Sequence, residues 1–212
     1  MKKTLMKTKR SLIVFSGPSG VGKDTILNKL CEKNKNIKLS ISATTRPKRE
    51  YEQDGKDYYF LSKSQFLNLV STNQMLEFAN YCENYYGTPL KPVEDFLSMG
   101  FDVILEIETE GALKVIKNYP DAVSIFILPK SLEVLKDRLI GRASDNEEVI
   151  LKRLIKARQE IQMASKYQYV VINDDLDNCV EEINSIIKAE NLKFIKNKNI
   201  INEVLKDGKT FN

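Results

Sequence analysis

The stretch Gly17-Pro18-Ser19-Gly20-Val21-Gly22-Lys23-Asp24-Thr25 carries the clearest chemistry in this 212-residue chain. Its glycines let backbone N–H groups converge, and a helix opening at the end of such a loop adds unpaired N–H groups and its positive dipole end. That is an anion site, and Lys23 would reach the outer phosphates of a nucleoside triphosphate. The alternative is a tight glycine turn with no ligand. Asp24 stands where a Ser or Thr commonly gives its hydroxyl to Mg²⁺. A carboxylate there could hold the metal itself or through water, or could repel phosphate. Thr25, one residue later, still offers a hydroxyl. The loop sets the ligand class, a nucleotide, and leaves the reaction open.

Lysines outnumber arginines 26 to 7, so an arginine asks for a reason that a lysine does not. Guanidinium grips phosphate with a planar two-pronged fork that an ammonium cannot copy. Arg46 and Arg49, on either side of Pro47, form one compact clamp. Arg138, Arg142 and Arg153 form a second group around the capping box Ser144-x-x-Glu147, which opens a helix reaching to about Met163. Surface ion pairs with Glu147 and Glu148 are the alternative, although lysine would serve those equally well. Arg158 has no role that the sequence supports. Two arginine clusters and one phosphate loop suit two anionic substrates with a phosphoryl group passing between them.

These residues need a scaffold, and the patterning supplies one. Residues 11–15, 39–43, 101–107, 124–128 and 169–172 read as strands, with Pro129 stopping the fourth. Residues 25–31 and 180–187 read as helices. The alternation implies a mostly parallel sheet covered on both faces, with ligands beyond the carboxyl ends of its strands. Between residues 51 and 86 the texture changes. Six of the nine tyrosines fall there, with the turn signal Asp54-Gly55, which marks a small strand-containing insertion.

Composition narrows the class. There is no His, which removes His-based acid–base chemistry and most transition-metal sites. Cys31, Cys82 and Cys179 make neither a disulfide framework nor a zinc site and fit a reducing cytosol. The apolar run after the basic start is only residues 12–15, too short for export or membrane crossing. The net charge of +4 is unevenly placed: residues 1–10 carry +5, residues 191–212 carry +3, and the body between them carries −4. No basic stripe with interleaved aromatics appears in that body, so a nucleic-acid partner is not expected.

Taken in order, the motifs resemble the guanylate kinases, a family of P-loop nucleoside monophosphate kinases. They are the loop above; Ser42-Ala43-Thr44-Thr45-Arg46-Pro47-Lys48-Arg49; Asp54-Gly55-Lys56-Asp57-Tyr58-Tyr59-Phe60; Asn84-Tyr85-Tyr86-Gly87-Thr88; Leu105-Glu106-Ile107-Glu108-Thr109-Glu110-Gly111; Arg138-Leu139-Ile140-Gly141-Arg142; and Val171-Ile172-Asn173-Asp174-Asp175. The resemblance implies an α/β P-loop kinase with a mostly parallel five-stranded core sheet flanked by helices, a strand-rich GMP-binding insertion and a helical lid. One domain would span 11–189, with core 11–41, 93–130 and 164–189, GMP-binding region 42–92 and lid 131–163. A basic tail (1–10) and a Lys/Asn-rich extension (190–212) flank it. Expected partners are ATP and GMP in the cytoplasm, without nucleic acid or membrane; a homodimer is left open.

The resemblance also implies roles. Gly17, Pro18, Ser19, Gly20, Val21, Gly22, Lys23, Asp24, Thr25, Arg138 and Asn173 would bind ATP. Ser42, Arg46, Arg49, Tyr58, Glu77, Tyr86, Thr88 and Glu108 would bind GMP, with Ser42, Glu77 and Thr88 reading the base. Lys23, Arg46, Arg142 and Arg153 would act in catalysis. Mg²⁺ would be held mainly by nucleotide phosphates and water, assisted by Asp24, Thr25 and Glu106. Without the resemblance, Glu77 reads as a solvated acid at a helix end. Glu108 stands where the family usually has Asp, and Glu83 where it often has Gly. The rival readings are a kinase of another monophosphate and a catalytically silent, phosphoprotein-binding relative.

Overall fold

Unbroken apolar runs become central strands because a parallel sheet is covered on both faces. The computed structural model describes residues 10–81, 83–141 and 147–207. Its elements in chain order are β1 (Leu12–Ser16), α1 (Lys23–Lys33), β2 (Ile37–Leu39), β3 (Ala43–Thr44), β4 (Tyr59–Phe60), α2 (Lys63–Ser71), β5 (Met75–Tyr81), β6 (Asn84–Pro89), α3 (Leu90–Ser98), β7 (Asp102–Glu106), α4 (Thr109–Asn118), β8 (Val123–Pro129), α5 (Leu132–Ile140), α6 (Glu147–Gln162), β9 (Tyr169–Asn173), α7 (Leu176–Leu192) and α8 (Asn199–Asp207). Short 3₁₀ turns at Met163–Lys166 and Phe194–Lys196 follow α6 and α7. None of the described helices is long and apolar enough to cross a membrane.

Five strands form an all-parallel sheet in the order β2-β7-β1-β8-β9. Successive side chains of β1 go to opposite faces. Ile13 and Phe15 join Ile26, Leu27, Leu30, Val180 and Ile183 of α1 and α7 in one core. Leu12 and Val14 join Val93, Leu97, Ala112 and Val115 of α3 and α4 in the other. Because the strands run one way, the turn after β1, Glu106 at the end of β7 and Asn173 at the end of β9 meet along one edge. At the opposite edge, buried Asp102 accepts from Ser11 N at 2.8 Å and from Asn191 Nδ2 at 2.8 and 2.9 Å, which fastens the end of α7 to β1 and β7.

One expectation is corrected here. The single strand expected over 39–43 is two strands in two sheets. The chain makes its last core-sheet bond from Ser40 N to Ile104 O at 2.9 Å, then turns away and starts a second sheet at Ala43. Pro129 does stop β8, as its last residue, in register with Asn173, a place where its missing N–H does little harm.

The second sheet has the order β4-β3-β6-β5, with β3 parallel to β4 and antiparallel to β6. Beneath it lies α2, opened by a capping box that the sequence reading passed over: Gln65 N donates to Ser62 Oγ at 3.2 Å and Ser62 N to Gln65 Oε1 at 2.8 Å. Buried Phe66 of α2 stacks on Tyr85 with ring centroids 5.5 Å apart. Glu83, in the β5–β6 turn, has φ +67°, a left-handed conformation that a glycine adopts without strain. Finally, α5 and α6 share a small core of their own built from Leu135, Leu139, Ile150 and Ala157. Arg142 and Ser144, between those helices, lie outside the described residues.

Candidate active site

The turn after β1 is built for close approach. Gly20 and Gly22 have φ of +86° and +96°, which side-chain-bearing residues rarely adopt. A Cβ on Gly17 would lie 2.6 Å from Ile127 O. Gly22 caps α1 with no side-chain hydrogen bond, so the first-turn N–H groups are left for a ligand. Lys23 Nζ donates to Gly17 O at 2.9 Å, which keeps the ammonium over the loop. Arg138 and Asn173 both brace the loop. Val21 O accepts from Asn173 Nδ2 at 2.7 Å and from Arg138 Nη1 at 3.1 Å, and Arg138 Nη2 donates to Asn173 O at 3.1 Å. An open cleft of about 450 Å³ runs past Gly20, Gly22, Thr25, Arg138 and Asn173.

Beside the loop, the Glu106 carboxyl neighbours that of Asp24. Burial first, and then the neighbouring Asp24, push the Glu106 carboxyl up to about 6, with Lys23 opposing. Two neighbouring carboxyl groups next to a phosphate loop form a place short of positive charge, and a divalent cation fits it. Among the described residues no group of three or more His, Cys, Asp and Glu is placed to hold an ion unaided. Phosphate oxygens and water would have to complete the coordination.

The other half of the site stands on the second sheet. Arg46 reaches from the end of β3 across the rings of Tyr58 and Phe60, its guanidinium carbon 5.1 and 5.6 Å from their centroids. Its fork is held by Glu52, with Nη1 to Oε2 at 2.7 Å and Nη2 to Oε1 at 2.5 Å, and Arg49 N also donates to Oε2 at 2.9 Å. The hydrogen bond from Arg46 holds the Glu52 carboxyl down at about 2. Sequence reasoning missed Glu52. The one available signal was an acid six residues beyond Arg46, in a segment that also holds Glu50, Asp54 and Asp57. Arg49 is exposed and donates to Tyr51 Oη at 2.8 Å. The Tyr58 and Tyr86 rings meet edge to face at 6.2 Å, so two hydroxyl-bearing rings flank the arginine.

Glu77 lies on β5 as the cross-strand partner of Thr88 on β6, and it is 9% exposed. The solvated helix-end reading is therefore overturned. Thr88 Oγ1 donates to Glu77 Oε1 at 2.8 Å. Burial raises the Glu77 pKa, with the Thr88 hydrogen bond and the charge of Lys114 working against it. A Cβ on Gly111 would sit 2.7 Å from Glu77 Oε2. Gly111→Ala is thus expected to leave a folded protein whose Glu77 carboxylate is displaced. With the base-reading role that the resemblance implies for Glu77, a GMP titration should show weaker binding by about tenfold, since one misplaced bidentate contact costs ~1–3 kcal/mol; unchanged affinity would detach Glu77 from the ligand.

The structure thus groups Ser42, Arg46, Arg49, Tyr58, Glu77, Tyr86 and Thr88 around the second sheet, and Lys23, Asp24, Thr25, Glu106, Arg138 and Asn173 around the loop. Glu108 is different. It is exposed at the start of α4, and its carboxylate accepts from Lys156 Nζ of α6 at 2.9 Å.

Comparison with known proteins gives one consistent result. The family model described as guanylate kinase matches residues 9–190. A guanylate kinase of Oceanobacillus iheyensis is 45% identical over 204 residues, 96% of this chain and 99% of that protein. One from Caldanaerobacter subterraneus is 49% identical over 195 residues, 92% and 95% of the two chains. Among solved structures, guanylate kinase from Anaplasma phagocytophilum superposes with a TM-score of 0.69 at 37% identity, covering 88% of this chain and 89% of that one.

Proposed function

The chain belongs to the guanylate kinase family, and from that premise we propose how it transfers the γ-phosphoryl group of ATP to GMP. The observation that carries the reading is the pairing of two anion sites of different character: a backbone phosphate loop with Lys23, and a fixed arginine backed by two tyrosines beside a buried carboxylate. The donor's phosphates take the loop. The acceptor's phosphate takes Arg46, Arg49, Tyr58 and Tyr86, and its base takes Ser42, Glu77 and Thr88. Guanine presents adjacent N1–H and N2–H₂ donors that one carboxylate accepts together, whereas adenine presents neither. The cleft lined by Arg138 and Asn173 suits the donor nucleoside.

A phosphate oxygen of GMP attacks the γ-phosphorus, the bond from that phosphorus to the β,γ-bridging oxygen breaks, and ADP leaves. The attacking oxygen is already anionic near neutral pH, so no general base is required, in keeping with a chain that has no His. The protein's work is alignment and neutralisation. Arg46 is aligned before any ligand arrives, because Glu52 fixes its fork. Lys23 neutralises charge at the donor phosphates, and Arg153 of α6 adds to this as the resemblance implies. Mg²⁺, held by phosphate oxygens and water with Asp24, Thr25 and Glu106 alongside, supplies further charge neutralisation when bound. The α5–α6 pair, with its separate core, serves as the lid that excludes water.

ADP release from ATP measured with GMP, AMP, CMP or no acceptor tests this. Release dependent on GMP is expected; release favouring AMP or CMP, or none at all, would refute it. A pH series adds a second check. Guanine needs ionised Glu77, whose raised pKa means that it takes up a proton earlier than an exposed glutamate as pH falls. GMP affinity should therefore weaken on acidification through two titrations, that of Glu77 and that of the GMP phosphate, and Glu77→Gln should retain only the second. The linkage for stability runs the other way. A raised carboxyl pKa stabilises the native state below the unfolded value, and that contribution is lost as pH rises through the native value. Glu77→Gln should therefore melt above the wild type at about pH 8, by a margin that shrinks toward about pH 5.

A further inference from the structure

One ion pair joins α6 to the start of α4 and has no part in the scheme above. Residues 153, 156, 157 and 160 of α6 follow the spacing that puts them on one stripe of a helix. That stripe is covered in part: Ala157 is fully buried and the Glu160 side chain is 13% exposed, while the Lys156 side chain is 55% exposed. Lys156 sits on it between two carboxylates, with Nζ 2.9 Å from Glu108 Oε2 and 3.7 Å from Glu160 Oε1. Glu108 occupies the N-cap position of α4 yet makes no capping bond to that helix. Its carboxylate forgoes the helix terminus, where an acid is ordinarily favoured, and reaches across to α6. An aspartate here would be one methylene shorter. Glu108 also lies two residues past Glu106, which neighbours Lys23 and Asp24, so the pair joins α6 to the segment leading out of the site.

We infer that Lys156 is a positioning residue for phosphoryl transfer: by pairing with Glu108 it seats α6, and with it Arg153 one turn earlier, over the phosphate loop. The inference rests on the proposed role of α5–α6 as a lid. It assigns Glu108 to the lid and not to guanine. Glu160 backs the arrangement from one turn further along, where it feels the charges of both Lys156 and Lys23.

The test is a double-mutant cycle on the full chain with Lys156→Met, Glu108→Gln and the pair combined, read as kcat, KM for GMP and ADP release without GMP. Pairs this exposed are worth little each, so each single variant should lower kcat by about threefold to fivefold. KM for GMP should stay within about twofold, the melting temperature should hold, and the double variant should be no worse than Lys156→Met. Lys156→Arg should recover most of the loss. Additive losses, no loss, or a rise in KM for GMP confined to the Glu108 variant would each overturn the assignment. If the wild type itself failed to phosphorylate GMP, the proposed function would fall first, which a normal wild-type rate with an additive cycle would not imply.

Discussion

Lys23→Met should lower kcat by about a thousandfold or more and leave the protein folded. A preorganised donor aimed at developing charge is worth ~10²–10³ in rate, and a cation on a transferring phosphoryl group ~10³–10⁵. Lys23 is the sole lysine of the loop, and its Nζ already lies over it, 2.9 Å from Gly17 O. Methionine keeps the length and apolar stem, so the folding loss is that of one partly exposed hydrogen bond, about 1 kcal/mol or some 2–4 °C in Tm. The groups proposed to hold the acceptor stand on the second sheet, and KM for GMP should stay within about twofold. Steady-state kinetics with a melting curve decide the matter. A preserved kcat with a raised KM for GMP would place Lys23 on the wrong substrate.

Glu77→Gln is the second large effect, and it should fall on the other substrate. The glutamine retains the volume and an acceptor for Thr88 Oγ1, but turns an amide NH₂ toward a base edge that also offers donors. A lost bidentate contact costs ~1–3 kcal/mol, and a buried polar group left unpaired costs more. The ratio kcat/KM for GMP should therefore drop by about tenfold to a hundredfold, mostly through KM, with little change for AMP. An equal loss for GMP and AMP would mean that the substitution damaged the sheet and not a contact with guanine.

Much of the donor half was legible because its constraints are local. A strand, three glycines, a lysine and a helix follow one another within residues 12–33, and the backbone angles of Gly20 and Gly22 are what that spacing requires. The acceptor half is assembled from a distance. Glu77 and Thr88 meet only because β5 and β6 pair, and without the family resemblance nothing around residue 77 marks it as buried. Glu52 was overlooked because its partner, Arg46, has a functional reading of its own that hides the need for a counter-ion. The pairing of Glu108 with Lys156 spans 48 residues and two elements, so spacing cannot reveal it. The single strand expected at 39–43 failed for a related reason: alternation shows that residues are extended, but not which sheet they join.

The claim that Glu77 reads the base is tested most directly by the ratio of kcat/KM for GMP to that for IMP, which keeps the N1–H donor and lacks the 2-amino group. The wild type should favour GMP by about tenfold or more, one hydrogen bond to a charged acceptor being worth ~1.5–3 kcal/mol. In Glu77→Gln the preference should shrink to within about threefold. An identical ratio in the two proteins would contradict the account.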